Sequence, residues 1–208
     1  MYDQGVDQEK EPRKAVREDL LLLLRSLAHH QVDYVIIGGQ ALNLHGYMRN
    51  TDDIDILLPM DAVNGKKVID ALSVLPDNAA KDVDPEWLAE PGTVRVADEI
   101  IVDLMTLAAN GETYDSLSAH IQKAEMEGFS YYLLDVDGLI RTKQSVRPKD
   151  RQDLEILYIM QRNQRNVSED TVDALPNEEA MRLRDAMREK ADEDRDSHPD
   201  LTVSPENP

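Results

Sequence analysis

The stretch IIGGQALNLHGYMRNTDDIDILL, residues 36–58, decides the fold predicted for this sequence. It overlaps an apolar, β-branched run, VDYVII at residues 32–37, which indicates a buried strand ending at a glycine pair. A short helix is expected over residues 40–44, and a second strand over residues 54–58, where Pro59 stops it. A strand, a glycine turn, a helix and a second strand in this order indicate an α/β arrangement.

Two glycines and two aspartates carry the chemistry of this stretch. Gly38 and Gly39 lie between strand and helix, where glycine lets the backbone approach a ligand closely and helix-start amides favour phosphate. Asp53 and Asp55 alternate along the second strand, so both carboxylates point to one face. Neighbouring carboxylates repel each other unless a cation lies between them, and Mg²⁺ held by carboxylates and substrate phosphates is a common arrangement.

A third carboxylate, Asp103, lies near the end of a later apolar strand, IIVDL at residues 100–104. A charge in such a run is costly unless it is paired or bound to a metal. We therefore expect Asp103 to join Asp53 and Asp55 if the two strands are neighbours. Three carboxylates can hold two cations, of which one activates a hydroxyl and the other steadies a leaving pyrophosphate.

Each feature also has a plainer explanation when it is taken alone. A strand–helix turn needs glycine anyway, and an edge strand can carry alternating charge. Asp103 could be a strand-end or capping residue, and Asp98 is expected to lie in a turn. Asp52 should face away from its neighbours by strand alternation, and His45 is expected to be structural or exposed.

The remaining pattern predicts an α/β or α+β domain with a mixed β-sheet flanked by helices. It is expected over residues 1–165, with its core at about 30–160. Residues 166–208 are acidic, and a polar helix at about 177–194 and a disordered tail from residue 197 are expected there. Helices are predicted over residues 12–29, 61–75, 114–125, 137–143 and 150–161, and further strands over residues 93–96, 100–104 and 129–134.

Composition excludes several classes of protein. The sequence has no cysteine, so disulfides and thiolate metal sites are absent. No signal peptide or membrane-spanning segment is predicted, and a cytoplasmic location is expected. A formal charge of −19 disfavours stable, non-specific binding to nucleic acid, although a local basic cleft stays possible, and carboxylates suit hard divalent cations.

The spacing GG-x(13)-D-I-D, with Arg49 and Thr51 before Asp53, resembles the nucleotidyltransferase superfamily, which has a DNA polymerase β-like fold. Within it, the sequence looks most similar to the abortive-infection, AbiEii-like branch, which contains toxins of bacterial toxin–antitoxin systems. DGLIxxK at residues 137–143 and RPKDRxDL at residues 147–154 are similar to that branch's late lysine and RxKDxxDL segment. The resemblance covers roughly residues 30–160.

The resemblance implies a role for each matching residue. The glycine pair would cradle a triphosphate, although many members have Gly-Ser where this chain has Gly38 and Gly39, so a hydroxyl contact to phosphate is missing. The first two aspartates would bind metal, and the third, Asp103, could also act as a base. Lys143 would reach phosphates, with Asp150 or Asp153 orienting it or the base. The remaining nucleotide-binding candidates are Arg49, Thr51 and Lys149.

Several of these residues have alternatives. Arg49 could pair with a phosphate or with a neighbouring carboxylate, because a guanidinium binds either in a fork. Lys143 and Lys149 could be solvated surface charges, as most lysines are. Asp150 and Asp153 share one helix face, and Asp150 could cap the helix that follows Pro148.

The function predicted is Mg²⁺-dependent (or Mn²⁺-dependent) transfer of a nucleoside monophosphate from an NTP to a hydroxyl or phosphate acceptor. The acceptor would be RNA, a protein or a small molecule. A further hypothesis is that the protein is a toxin whose activity is held in check by an antitoxin, its protein partner. The alternative is a non-catalytic module with the same fold that acts through protein–protein contacts.

Overall fold

The computed structural model describes residues 11–145 and 147–173, and side chains as far as residue 165. The predicted helix at about 177–194 and the predicted tail from residue 197 lie outside these residues. The chain divides into two compact units, Met1–Tyr158 and Ile159–Pro208. The sheet and every candidate site residue belong to the first unit, and the domain boundary expected at residue 165 stays a prediction.

A mixed sheet forms the centre of the first unit, which confirms the predicted fold class. Within the described residues it has six strands in the order β3-β4-β2-β1-β6-β5. β2 runs parallel to β4, and β1 runs parallel to β6, while the other neighbouring strands are antiparallel. The strands are β1 (Val35–Ile36), β2 (Asp53–Leu57), β3 (Thr93–Ala97), β4 (Ile101–Met105), β5 (Ile121–Met126) and β6 (Phe129–Leu134).

Helices connect and cover the strands. None of the helices in the described part of the chain combines the length and apolar character that a bilayer crossing requires. The α-helices are α1 (Arg17–His29), α2 (Gly38–Leu44), α3 (Ala62–Leu72), α4 (Val136–Thr142) and α5 (Pro148–Asp173), and single 3₁₀ turns occur at Ala79–Asp82, Pro85–Ala89 and Ser118–His120.

The core is aliphatic, as the shortage of aromatic residues predicts. One face of α1 buries four leucines at helical spacing, and α1 packs against α3 and β6. A hydrogen bond from the Ser26 hydroxyl to the Ala71 carbonyl, 2.6 Å long, joins α1 to α3. Strands β1 and β2 lie inside the sheet and are buried, except that Asp53 and Asp55 of β2 are partly exposed. These two carboxylates therefore stand on a well-anchored strand.

The predicted helix over residues 114–125 is wrong. Its second half is β5, which pairs with β6 through a tight turn at Glu127 and Gly128, both with positive φ. Lysine, alanine, glutamate and methionine in β5 favour a helix in isolation. The ladder to β6 and a turn geometry that suits hairpins outweigh that preference, which local pattern alone does not reveal.

The first helix begins later than predicted. It starts at Arg17 rather than residue 12, because the Asp19 carboxylate accepts a hydrogen bond from the Val16 backbone N–H, 2.8 Å long. The preceding residues are extended and hydrogen-bond to the rest of the unit through the N–H groups of Arg13 and Ala15. The other predicted helices and strands of the described residues are present with shifted ends.

Candidate metal and phosphate site

Three aspartates meet where β2 and β4 run side by side. The parallel register pairs Asp55 directly with Asp103, and Asp53 lies two residues before Asp55 on the same face of β2. One carboxylate oxygen from each of the three lies within 4.8 Å of the others. The Asp103 side chain is nearly buried, whereas that of Asp53 is partly exposed. The structure therefore brings together the three carboxylates that the sequence singled out.

Arg95 binds this triad and was missed at the sequence level. Its Nε and Nη2 donate to the two Asp103 oxygens at 2.8 and 2.7 Å, and its Nη2 lies 3.8 Å from Asp53 Oδ2. Such a fork is the strongest form of guanidinium–carboxylate pairing. A signal was present, because two strands are predicted on either side of the turn at Asp98, and antiparallel pairing of these strands places Arg95 opposite Asp103.

The glycine pair packs directly on the aspartate strand. Gly38 has a positive φ of +66°, and a Cβ there would lie 1.9 Å from the Asp55 carboxylate oxygen. A Cβ on Gly39 would lie 2.7 Å from the Thr51 Cβ. The Thr51 hydroxyl in turn donates to Asp53 Oδ1 at 3.0 Å. Gly38 thus makes room for the Asp55 carboxylate, and Gly39 makes room for Thr51, which hydrogen-bonds Asp53.

A second charged cluster joins α4 and α5. Lys143 is buried and its Nζ lies 3.2 Å from Asp150 Oδ1 and 2.8 Å from Asp153 Oδ2. Arg49 reaches across to Asp153 at 2.6 Å, and Arg147 binds Asp150 at 2.7 Å. Lys143 therefore sits between two carboxylates, and Arg49 pairs with a carboxylate rather than standing alone.

Electrostatics in this second cluster favour the ionised form of Asp150. Its side chain is fully buried, which by itself would raise the pKa. The hydrogen bonds from Ser145 and Arg147 and the charge of Lys143 outweigh burial and lower the pKa below its usual value. Asp150 is thus a charged anchor for Lys143 and Arg147, not the simple helix cap that the sequence also allowed.

One cleft contains the triad and the basic groups around it. Five basic and three acidic side chains line it, together with the glycine pair and several small residues. Within residues 11–145 and 147–165, Lys149 has no ion pair, although its charge acts on Asp55. A chain of formal charge −19 thus has a cleft in which cations outnumber anions. The basic residues are Arg49, Arg95, Lys143, Arg147 and Lys149.

Asp55 is the most perturbed carboxyl of the triad. Burial, with the neighbouring charges of Asp53 and Asp103, raises the pKa of Asp55 to about 6, while Lys143 and Lys149 oppose the shift. No hydrogen bond or ion pair reaches the Asp55 carboxylate from the described residues, in contrast to those of Asp53 and Asp103. A cation beside Asp55 would offset the repulsion from Asp53 and Asp103, which adds to the effect of burial on this pKa.

Nearby polar residues that were expected to lie outside the site do so. Asp52 is exposed and its carboxylate pairs with the Lys14 Nζ at 2.6 Å. Asp98 is a buried turn residue that accepts hydrogen bonds from three backbone N–H groups, those of Asp77, Ala79 and Glu99. The His45 ring hydrogen-bonds the Leu134 backbone carbonyl, which fixes α2 to the end of β6.

The donor set suits a hard divalent cation. Three convergent carboxylates offer the oxygen ligands that Mg²⁺ and Mn²⁺ prefer, and no sulfur or imidazole is among them. Asp53, Asp55 and Asp103 would hold such an ion. The basic side chains of the same cleft match the charge of a polyphosphate, which commonly completes a Mg²⁺ coordination sphere.

Comparison with known proteins gives a family. The sequence matches the profile of the family described as nucleotidyltransferase of unknown function (DUF6036) over residues 14–188. A crystal structure of a candidate nucleotidyltransferase from Thermotoga maritima matches with 15% identity and a TM-score of 0.44, over 75% of this chain and 97% of that chain. No curated protein matches the sequence. The family match alone bears on function.

Replacing Gly38 by alanine should destabilise the fold more than the same change at Gly46. Both residues have positive φ, +66° and +87°, so both variants suffer backbone strain of about 1–2 kcal/mol. Only Gly38 faces the Asp55 carboxylate, and overpacking there should add about 1–3 kcal/mol, whereas no heavy atom lies within 4 Å of a Cβ at Gly46. Urea unfolding measures both losses, and equal losses would contradict the packing described for Gly38.

Asp55→Asn should stabilise the metal-free protein at pH 7.5. The folded-state pKa of Asp55, about 6, lies above its ordinary value, so the fold binds this proton more tightly than the unfolded chain does. The ionised carboxyl therefore costs stability, and that cost grows as the pH rises from about 4 through 6. Asparagine removes the cost, an expected gain of about 1–3 kcal/mol at pH 7.5 that shrinks at pH 5.

The measurement is urea unfolding in EDTA at the two pH values. Asp52→Asn is the matched control, because Asp52 is exposed and pairs with Lys14 outside the triad. It should show no gain that depends on pH in this range. An Asp55→Asn protein that is no more stable than wild type at pH 7.5 would show that the triad does not strain the fold.

Proposed function

The chain belongs to this nucleotidyltransferase family, and on that premise we propose that it transfers a nucleoside monophosphate from an NTP to an acceptor in a reaction that requires Mg²⁺ or Mn²⁺. The observation that carries the proposal is the convergence of Asp53, Asp55 and Asp103 within 4.8 Å at one end of a cleft lined with basic side chains. Acidic and basic groups so arranged suit a cation and a polyphosphate bound side by side.

The proposed reaction exchanges one bond at the α-phosphorus of the NTP for another. An acceptor hydroxyl attacks the α-phosphorus, a new oxygen–phosphorus bond forms, and the bond to the bridging oxygen of the β-phosphate breaks. Pyrophosphate leaves with that electron pair. A bound divalent ion would neutralise charge on the phosphates and lower the pKa of the attacking hydroxyl. An ionised carboxylate offers about four lone pairs, so Asp103 can accept the hydroxyl proton beside a cation that it also binds.

The basic side chains suit phosphate binding to different degrees. Lys149 is exposed in the cleft and has no ion pair within the described residues, so it is the readiest phosphate ligand. Lys143 faces the same cleft while Asp150 and Asp153 hold its ammonium group, which suits a fixed positive charge. Arg49 is fixed by Asp153 in the same way. Gly38 and Gly39 also line the cleft, and glycine there would allow a close approach of the triphosphate to the backbone.

The proposals for the acceptor, the protein partner and the cellular location rest on the sequence alone. The resemblance to the AbiEii-like branch supports a toxin role with an antitoxin as partner, and an RNA or protein acceptor. The strongly negative charge argues against RNA, because an acidic surface repels a polyanion at long range. The absence of cysteine supports a cytoplasmic location.

The test is nucleotide transfer by the purified protein. Wild-type protein with Mg²⁺ and each α-labelled NTP, given RNA, protein and small-molecule acceptors, should transfer label to one of them. The Asp53→Ala, Asp55→Ala double variant should lose at least about a thousandfold in rate, because the charge that positions the cation is gone. Asp52→Ala removes an adjacent aspartate outside the triad and should keep its activity.

Two results of this experiment would contradict the proposal. If it neither binds any NTP in the presence of Mg²⁺ nor transfers label, the proposed activity is wrong. The non-catalytic module that acts through protein–protein contacts would then be the better account of this fold. If Asp52→Ala loses as much activity as the double variant, the assignment of the triad is wrong.

A further inference from the structure

Arg95 occupies a position in the cleft that no other basic side chain shares. Within the described residues, the other cleft cations with ion pairs, Arg49, Lys143 and Arg147, bind carboxylates outside the triad. Arg95 alone among them binds the triad itself, with a fork to Asp103 and a longer contact to Asp53. Its positive charge therefore lies against the oxygens that a divalent ion would use.

The register of the sheet fixes this arrangement. β2, β4 and β3 are successive neighbours, and their pairing aligns Asp55, Asp103 and Arg95 in one row across the sheet. β3 is the edge strand of the sheet, so one side of Arg95 is open. The backbone holds the Arg95 Cα beside the triad, while the long side chain above it can reach more than one anion.

Exposure makes the Arg95 pairing reversible. The Arg95 side chain is 57% exposed, whereas the side chains of Lys143 and Asp150 are 9% and 0% exposed. Water solvates the guanidinium well once it leaves, whereas the Asp103 side chain is only 10% exposed and then needs another cation in place of Arg95. Arg95 can therefore leave Asp103 for a better anion, whereas Lys143 is fixed between its two carboxylates.

A free divalent ion and a metal–triphosphate complex meet Arg95 differently. A free ion must enter beside a guanidinium that already neutralises part of the triad, and like charges at such distances repel strongly. A triphosphate carries several negative charges and offers the guanidinium a bidentate partner. Arg95 thus opposes binding of the free divalent ion and favours binding of the metal–triphosphate complex.

We propose that Arg95 is a positioning residue that makes cation binding depend on the triphosphate, so that the site takes the metal–NTP complex in preference to the free metal. The inference rests on the proposed function, because it takes the triad as the metal site and an NTP as the substrate. In the absence of nucleotide, Arg95 holds Asp103 and balances the triad. When the complex binds, Arg95 turns to the phosphates and the ion takes its place.

The experiment compares two dissociation constants in wild type and Arg95→Gln. The first is that of Mn²⁺ alone, measured by electron paramagnetic resonance or calorimetry. The second is that of the α,β-methylene analogue of each NTP at saturating Mn²⁺. Arg95→Gln should bind Mn²⁺ alone about tenfold more tightly and the analogue about tenfold more weakly, because the same charge acts with opposite sign on the two ligands.

Two further variants separate this role from a structural one. Arg25→Gln removes the same charge from α1, outside the cleft, and should leave both constants unchanged. Arg95→Lys keeps the charge but loses the fork, so Mn²⁺ alone should bind nearly as weakly as in wild type while the analogue binds less tightly. If Arg95 only holds Asp103 in place, Arg95→Gln weakens both ligands, and the inference is overturned.

Failure of the inference is distinct from failure of the proposed function. If wild-type protein binds the analogue with Mn²⁺, and Arg95→Gln changes neither constant or weakens both, the role given to Arg95 is wrong and the nucleotidyltransferase proposal stands. If wild-type protein binds no analogue with Mn²⁺, the proposed function and the inference both fall.

Discussion

Repulsion among three carboxylates is the constraint on which the rest of this structure depends. The parallel register of two strands holds the backbones of Asp53, Asp55 and Asp103 close together, and one oxygen of each carboxylate lies within 4.8 Å of the others. The clearest consequence is the raised pKa of Asp55, which burial and its two neighbours cause. A fold that holds like charges so close together favours the binding of a cation between them.

Two sources of positive charge near the triad offset that repulsion. Arg95 supplies the first positive charge, through its direct ion pair with Asp103. The cluster around Lys143 supplies a second, more distant charge that Asp150 and Asp153 hold in place. The cleft is therefore basic in a chain that is otherwise acidic, a charge distribution that favours a small anion over a long polyanion.

The sequence predicted the parts of this arrangement that depend on local pattern. The glycine pair, the alternation of Asp53 and Asp55, and a charge in the apolar strand of Asp103 are all visible within short windows. The Arg95 fork depends on which strands are neighbours, and the only indication of it was the turn predicted at Asp98 between two predicted strands. β5 was assigned to a helix because its residues favour one until β6 pairs with them. The ion pairs of Arg49 with Asp153, and of Lys143 with both its carboxylates, likewise could not be predicted without knowledge of the fold.

The most direct test of the central claim is the position of the metal. Crystals grown with Mn²⁺ and an α,β-methylene NTP, with data collected at the manganese edge, locate the ion without reference to activity. The account predicts an anomalous peak within about 2.0–2.4 Å of carboxylate oxygens of Asp53 and Asp55, with the triphosphate running towards Lys149. Nucleotide bound elsewhere, or a triad with no manganese while the nucleotide is bound, would contradict it.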